Sequence, residues 1–251
     1  MKTFSRRFLL PAAICLVLGI LRAVDLALFT DPQTGFVTDN AVVLRYLVPL
    51  AAAVLLWLTG RGVPDGRTVP GRGLSAGLAV SGLLLAAAGA ASLPSLTDTL
   101  LYLLAGLGLI GLAVVAARPR EVPPSVLWFL PGVAGMLWVL IQRFSVVPAS
   151  VVRLGCTFRV LSAAAALLLL QSLLKGLLLP DRPAGRAWFR YGWMALLFCT
   201  LHELPQAVFE LVCGAVTLPQ LLVSAGLGVF GLCGLWAALA ASRCGADAVE
   251  K

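Results

Sequence analysis

The sequence is poor in charged residues and in the residues that most often carry catalysis. Asp, Glu, Lys and Arg make up only 12% of its 251 residues, and there is one histidine. Soluble globular domains contain about 25% charged residues, so this composition excludes a soluble enzyme. A separate extramembrane domain is excluded as well, because the longest polar stretch, residues 60–73, has only the length of a linker.

Motifs of catalytic and metal sites are also scarce. The chain contains no His-Glu-x-x-His pair and no close pair of acidic motifs of the kind that hold magnesium. Its six cysteines are scattered without a Cys-x-x-Cys pair, which is typical of buried thiols rather than of a zinc site or a disulfide framework. We therefore expect no catalytic residues, no ATP-binding module and no cofactor.

What the sequence does have is long apolar runs. Apolar residues make up 60% of the chain, and its mean hydropathy is +0.99. A membrane-spanning helix needs about 20 mostly apolar residues. The predicted spans are residues 8–29, 41–59, 74–92, 99–117, 125–142, 151–171, 187–204 and 218–241. We interpret the first as a membrane helix rather than a signal peptide, because no small-x-small cleavage site follows it.

The positive charges predict the orientation of these spans. With the N-terminus inside, most of the 19 Lys and Arg residues fall in loops on the inner side, which is the side that short positively charged loops take. Both termini are therefore predicted to be cytoplasmic. The net charge of +8 then has a topological origin, so we expect membrane lipids with anionic headgroups as partners and no nucleic acid.

An internal repeat divides the chain. Residues 105–112 in span four recur at six of eight positions as residues 225–232 in span eight, and weaker matches follow in the same order through the other spans. The pattern predicts an all-α membrane protein of eight transmembrane helices. These form two parallel four-helix repeats, residues 1–121 and 122–251, related by an axis along the membrane normal.

The glycines of the repeated segment have the spacing Gly-x-Gly-x-x-Gly. This spacing binds dinucleotides when it joins a strand to a helix. Within a membrane span, the same small residues let neighbouring helices approach closely. We therefore predict that these glycines serve helix packing and that spans four and eight form the central seam between the two halves.

Four arginines on the predicted outer side are the candidate substrate-binding residues. Arg22 and Arg143 occupy corresponding positions of spans one and five, and Arg45 and Arg159 open spans two and six. Ionisable residues in a span are costly unless they meet water or a partner, and Arg binds carboxylate, phosphate or sulfate through paired planar donors. One prediction is a site for a small anionic solute or an anionic lipid. The other is a structural role, in which the arginines reach lipid headgroups or pair with Asp25, Asp39, Glu203 and Glu210.

Asp25, His202 and Glu203 are the candidate proton-coupling residues. Asp25 lies three residues after Arg22, so the two can pair on one helix face. His202 and Glu203 share a helix face with Cys199 near the predicted end of span seven. Zinc accepts these three ligand types, but no fourth ligand lies nearby in sequence, and we predict no metal site. Proton transfer and a capped helix end with solvated side chains remain as alternatives.

The loop after span one has the sequence Asp-Pro-Gln-Thr-Gly-Phe at residues 31–36, in which Pro and Gly favour a tight reversal. With the basic segment and apolar span before it, this loop resembles that of a group of uncharacterised bacterial multi-pass membrane proteins with an Asp-Pro-x-Thr-Gly-Phe type loop. The resemblance implies a location in the bacterial cytoplasmic membrane. It brings no assigned activity and no functional residues.

Two functions from different classes fit these observations. The first is a transporter-like bundle for a small anionic solute or an anionic lipid, which accounts for both the duplication and the charges within spans. The second is a non-transporting membrane subunit, sensor or immunity-like protein that binds a partner, which accounts for the lack of a sharp motif. A deep outward cavity lined by the paired arginines favours the first, and a solid bundle with those arginines facing lipid favours the second.

Overall fold

The computed structural model describes residues 4–31, 34–38, 41–66, 68–118, 124–146, 154–179 and 182–247. These residues are helical apart from short connections and one isolated β-bridge between Thr30 and Val37. The α-helices are α1 Phe4–Leu28, α2 Val42–Thr59, α3 Arg72–Ala91, α4 Leu96–Ala117, α5 Leu130–Ser145, α6 Leu154–Leu178, α7 Gly185–Ala195, α8 Leu204–Val212 and α9 Leu218–Asp247. A π-helical segment, Leu196–Glu203, joins α7 directly to α8.

Eight of the helical segments are long and apolar enough to cross a membrane, as predicted. Seven of them are built on α1 to α6 and α9, and the other, Gly185–Val212, consists of α7, the π segment and α8. We call Gly185–Val212 the seventh span. The chain is therefore a multi-pass integral membrane protein, while the internal repeat and the cytoplasmic position of the termini stay predictions.

The seventh span is longer than predicted. The sequence pattern places its end at residue 204, before Pro205, but the helix continues to Val212. Proline inside a helix removes a hydrogen-bond donor, yet it fits the first turn of a helical segment, where N–H groups lack acceptors within the helix. Because the π segment changes the backbone pairing just before Pro205, the proline falls in the first turn of α8 and the chain stays helical.

α3 lies between α4 and α9 and packs closely against both. The expectation that spans four and eight form the central seam is therefore wrong. The repeated glycines do serve close packing, but against different neighbours. A Cβ on Gly106 would lie 2.5 Å from the carbonyl oxygen of Gly82 in α3, and a Cβ on Gly108 would lie 2.6 Å from Cα of Gly132 in α5. In α9, Gly226 faces leucine side chains of α3.

α1 and α2 are joined to the bundle mainly through the seventh span. α1 packs against the π segment and α8, α2 packs against α7, and the contact between α1 and α2 is limited. In the second half, α6 packs along the seventh span and also against α5. The seventh span therefore contacts helices from both halves, while a groove is left between α1 and α2.

Candidate functional site

The candidate residues predicted from the sequence lie together at one end of the bundle, where α1 and α5 end and α2 and α6 begin. The second part of the seventh span passes between these helix ends. We call this end of the bundle the carboxylate end, after the acidic residues Asp25, Asp98, Glu203 and Glu210. The predicted site residues are Arg22 and Asp25 on α1, Arg45 on α2, Arg143 on α5, Arg159 on α6, and His202 and Glu203 in the π segment.

Arg22, Asp25 and Arg45 form the first ion cluster, which we call the Asp25 cluster. Arg22 Nη1 donates to Asp25 Oδ2 at 2.8 Å, and Arg45 Nε donates to Asp25 Oδ1 at 2.5 Å. Arg22 is only 6% exposed, and its Nη2 donates to Gln206 Oε1 at 2.6 Å. Its Nε is buried without a hydrogen-bond partner in the described part of the chain. Two guanidinium groups thus share one carboxylate.

Arg143, Ser162 and Glu203 form the second cluster, the Glu203 cluster. Arg143 Nη1 donates to Glu203 Oε2 at 2.6 Å and Nη2 donates to Oε1, so the pair is bidentate. The Ser162 hydroxyl donates to Oε2, and Arg143 Nη1 also donates to the Arg159 carbonyl at 2.9 Å. Glu203 is 2% exposed. The alternative of a helix end with solvated side chains is therefore wrong, because the helix continues and its neighbours cover this face.

Gln206 and Glu210 link the two sides of the site. Arg159 Nη2 donates to Glu210 Oε2, and Gln206 Nε2 donates to Glu210 Oε1 at 2.8 Å. Since Gln206 Oε1 accepts from Arg22, one amide connects the Asp25 cluster to the pair formed by Arg159 and Glu210. Gln206 is not among the residues predicted from the sequence. Its position one helical turn after His202 could have indicated that it lies on the same helix face, but only if the helix continues past Pro205.

The four arginines therefore do not converge as one group. Arg22 and Arg45 share Asp25, whereas Arg143 and Arg159 pair with separate glutamates. Asp39, which was among the predicted partners, lies outside the described residues.

A cavity of about 280 Å³ opens between α1 and α2 beside the Asp25 cluster. Its polar lining consists of Arg22, Asp25, Arg45 and His202. Its apolar lining includes Leu21, Val24, Leu44 and Val48, which are exposed on the outside of the bundle. Apolar side chains on the outside of a membrane-spanning helix face lipid. The cavity therefore opens sideways, toward the bilayer.

His202 lines this cavity and is otherwise buried, with 3% of its surface exposed. Its ring contacts the rings of Phe158 and Phe198, and its Nδ1 lies 3.0 Å from the carbonyl oxygen of Leu197. Because a carbonyl only accepts hydrogen bonds, Nδ1 carries a proton and Nε2 of the neutral ring is an acceptor. Nε2 has no hydrogen-bond partner among the described residues. It is also absent from the fully buried polar atoms that lack a partner there, so it is not fully buried.

Cys199, His202 and Glu203 turn toward three different partners. Cys199 Sγ donates to the Ser162 carbonyl at 3.1 Å, His202 bonds to the Leu197 carbonyl, and Glu203 is held by Arg143. Among the residues that the structure describes, no group of three His, Cys, Asp or Glu side chains is placed to hold a metal ion.

A second cavity, of about 130 Å³, lies on the other side of the carboxylate end. Its polar lining consists of Tyr102, Gln142, Arg143, Arg159, Gln220 and Ser224. Both arginines there are paired with glutamates. This cavity is smaller than the first, and its cationic side chains are balanced one to one.

Residues 73–77 have the Gly-x-Ser-x-Gly pattern that is found in hydrolases. The prediction of no catalytic residues was made without this pattern. In hydrolases the pattern forms a sharp turn between a strand and a helix. Here it lies in the first turns of α3, and the Ser75 hydroxyl donates to the carbonyl of Arg72 at 3.0 Å. His202, which is the one histidine of the chain, lies at the opposite end of the bundle.

The loop after α1 makes the predicted tight reversal. Asp31 N donates to the Phe36 carbonyl at 2.9 Å, and Gly35 has a φ of 68°, which favours glycine. No protein-family model, curated protein or solved structure matches the chain. The likeness of this loop to those of bacterial membrane proteins therefore stays a prediction.

Proposed function

We propose that this membrane protein is a transporter-like bundle that binds an anionic amphiphile in the cavity between α1 and α2. The observation that supports the proposal is the lining of the cavity, in which two guanidinium groups and one carboxylate stand beside a lateral opening framed by apolar side chains. A negatively charged headgroup complements the charged wall. A hydrocarbon chain complements the opening.

The cavity is large enough for a headgroup and the first part of its hydrocarbon chain, but not for a whole lipid. Its volume of about 280 Å³ is at the lower end of the roughly 300–1,000 Å³ that is typical of ligand pockets. The rest of the chain would lie along the exposed side chains of Leu21 and Leu44. A water-soluble anion would gain nothing from this apolar opening, so an amphiphile fits better than a small solute.

We assign different roles, proton coupling and structural stability, to the remaining candidate residues. Asp25 and His202 line the cavity, so we assign any proton coupling in a transport cycle to them. Glu203 is held by Arg143 and Ser162 and does not line the cavity. We assign Glu203 and Arg143 to the stability of the bundle.

Binding is tested by the thermal stability of the protein in nanodiscs of zwitterionic lipid with added decyl sulfate. We expect decyl sulfate to stabilise the native protein and Arg159→Gln, because Arg159 lies at the second cavity. Arg45→Gln should lose the stabilisation, since Arg45 lines the first cavity. Equal responses of the two variants would contradict the proposed site.

Transport is tested separately in vesicles that contain the protein. A decyl phosphate analogue with a fluorophore on its chain is placed in both leaflets, and its movement is followed with a membrane-impermeant quencher. Exchange between leaflets that Arg45→Gln abolishes supports transport. Binding without exchange would favour the alternative, a non-transporting subunit, sensor or immunity-like protein in which the cavity holds a structural lipid.

A further inference from the structure

The geometry of the cavity points to a narrower ligand class, a phosphate monoester headgroup, with His202 as the residue that selects it. This inference rests on the proposed function and names the chemistry of the headgroup. It follows from two properties of the cavity, the guanidinium groups in its lining and the His202 ring, whose Nε2 has no hydrogen-bond partner among the described residues.

The charges of the lining groups favour an anionic headgroup. Arg22 and Arg45 contribute two positive charges, and Asp25 contributes one negative charge. Arg22 also keeps one buried N–H, at Nε, without a partner in the described part of the chain. Carboxylates, sulfate esters, phosphate diesters and phosphate monoesters all satisfy this part of the site.

The acceptor at His202 distinguishes among these headgroups. Nδ1 is committed to the carbonyl of Leu197, which leaves Nε2 of the neutral ring able to accept one hydrogen bond from a ligand in the cavity. An ionised carboxylate or a sulfate ester has no proton to give. The second pKa of a phosphate monoester is about 6, so at about pH 6 half of the ligand carries both a negative charge and an O–H.

The proton is conserved in this arrangement, whichever atom holds it. If it stays on the phosphate, a monoanion donates to Nε2 and accepts from the guanidinium groups. If it moves to Nε2, a dianion accepts from the imidazolium and from the guanidinium groups. In both states one proton lies between the phosphate oxygen and His202.

The test compares decyl phosphate with decyl sulfate, which have the same chain and a tetrahedral headgroup. Binding is measured at about pH 6, where the monoanion of decyl phosphate is well populated, in zwitterionic nanodiscs and corrected for partitioning into protein-free discs. We expect decyl phosphate to bind about tenfold more tightly, the worth of one hydrogen bond to a charged group. Equal binding of both amphiphiles would overturn the inference and leave the proposed function standing. Binding of neither would overturn both.

Two variants of His202 separate headgroup selection from folding. In His202→Asn the amide nitrogen takes the place of Nδ1, but nothing takes the place of Nε2, so the tenfold preference should vanish while decyl sulfate still binds. In His202→Gln the longer side chain brings an amide oxygen near the position of Nε2, and the preference should be retained. A preference that survives in His202→Asn would contradict the role of His202.

Two further ligands test the source of the phosphate. Inorganic phosphate carries the same chemistry without a chain, and we expect it not to bind at concentrations at which decyl phosphate saturates the site. Equal binding of inorganic phosphate would overturn the lipid assignment. A decyl phosphodiester of glycerol has hydroxyls on a longer headgroup, and its binding as tightly as decyl phosphate would overturn the monoester assignment.

Discussion

The Asp25 cluster and the Glu203 cluster use the same chemistry at the same end of the bundle, yet they differ in two respects. In the first, two guanidinium groups share one carboxylate beside a cavity that opens toward lipid. In the second, one guanidinium group forms a bidentate pair with one carboxylate, and a serine hydroxyl also donates to that carboxylate. Access to the outside separates the proposed binding site from the buried ion pair.

The largest expected effect is that of breaking the Glu203 cluster. Glu203→Gln leaves Arg143 buried beside a neutral amide, and an unpaired buried charge costs about 3–5 kcal/mol. We expect a large drop in the temperature of unfolding in nanodiscs. An unfolding temperature equal to that of the native protein would show that Arg143 finds another partner and that the cluster is not structural.

The next effect is that of the amide that connects the two sides. Gln206→Leu removes an acceptor from Arg22 and a donor from Glu210. Buried groups left without partners cost about 1–3 kcal/mol, so the free energy of unfolding should fall by this amount. In a double mutant with Glu210→Gln the two losses should not add, because they share one hydrogen bond. Additive losses would contradict the link.

A change in the charge ratio of the Asp25 cluster should alter binding. Asp25→Asn removes the carboxylate that competes with a ligand for Arg22 and Arg45. Decyl sulfate should then bind about tenfold more tightly, which is about 1.4 kcal/mol. Isothermal titration in nanodiscs measures this effect. Weaker binding would mean that Asp25 is needed to position the arginines, and the proposed competition would be wrong.

The smallest effect is expected at the pair of Arg159 and Glu210, whose side chains are 24% and 18% exposed. Partly exposed ion pairs contribute about 1 kcal/mol or less. Glu210→Gln should therefore lower the unfolding temperature only slightly and leave decyl sulfate binding unchanged. A loss of stability as large as that of Glu203→Gln would remove the distinction between the two pairs.

The sequence predicted the eight spans because each has a long apolar run, and it located the candidate residues because charges within such runs are rare. It also predicted the contact between Arg22 and Asp25, which depends only on their spacing along one helix. Local patterns of this kind are independent of how the helices pack.

The rest of the site depends on packing between distant segments. Arg143 and Glu203 are 60 residues apart, and nothing in their neighbourhoods indicates that they meet. The predicted end of the seventh span before Pro205 was wrong. The π-helical pairing that accommodates the proline leaves no recognisable pattern in the sequence. Gln206 was not predicted because its side chain is neutral, although its amide accepts from one charged group and donates to another.

The central claim, that an anionic amphiphile lies between α1 and α2, is tested most directly by photocrosslinking. Decyl phosphate with a diazirine near its headgroup is irradiated with the protein in zwitterionic nanodiscs, and the labelled peptides are mapped by mass spectrometry. We predict labels around Leu21 and Val48, which line the cavity, and competition by unlabelled decyl phosphate. Labels spread evenly over all lipid-facing helices, without competition, would contradict the claim.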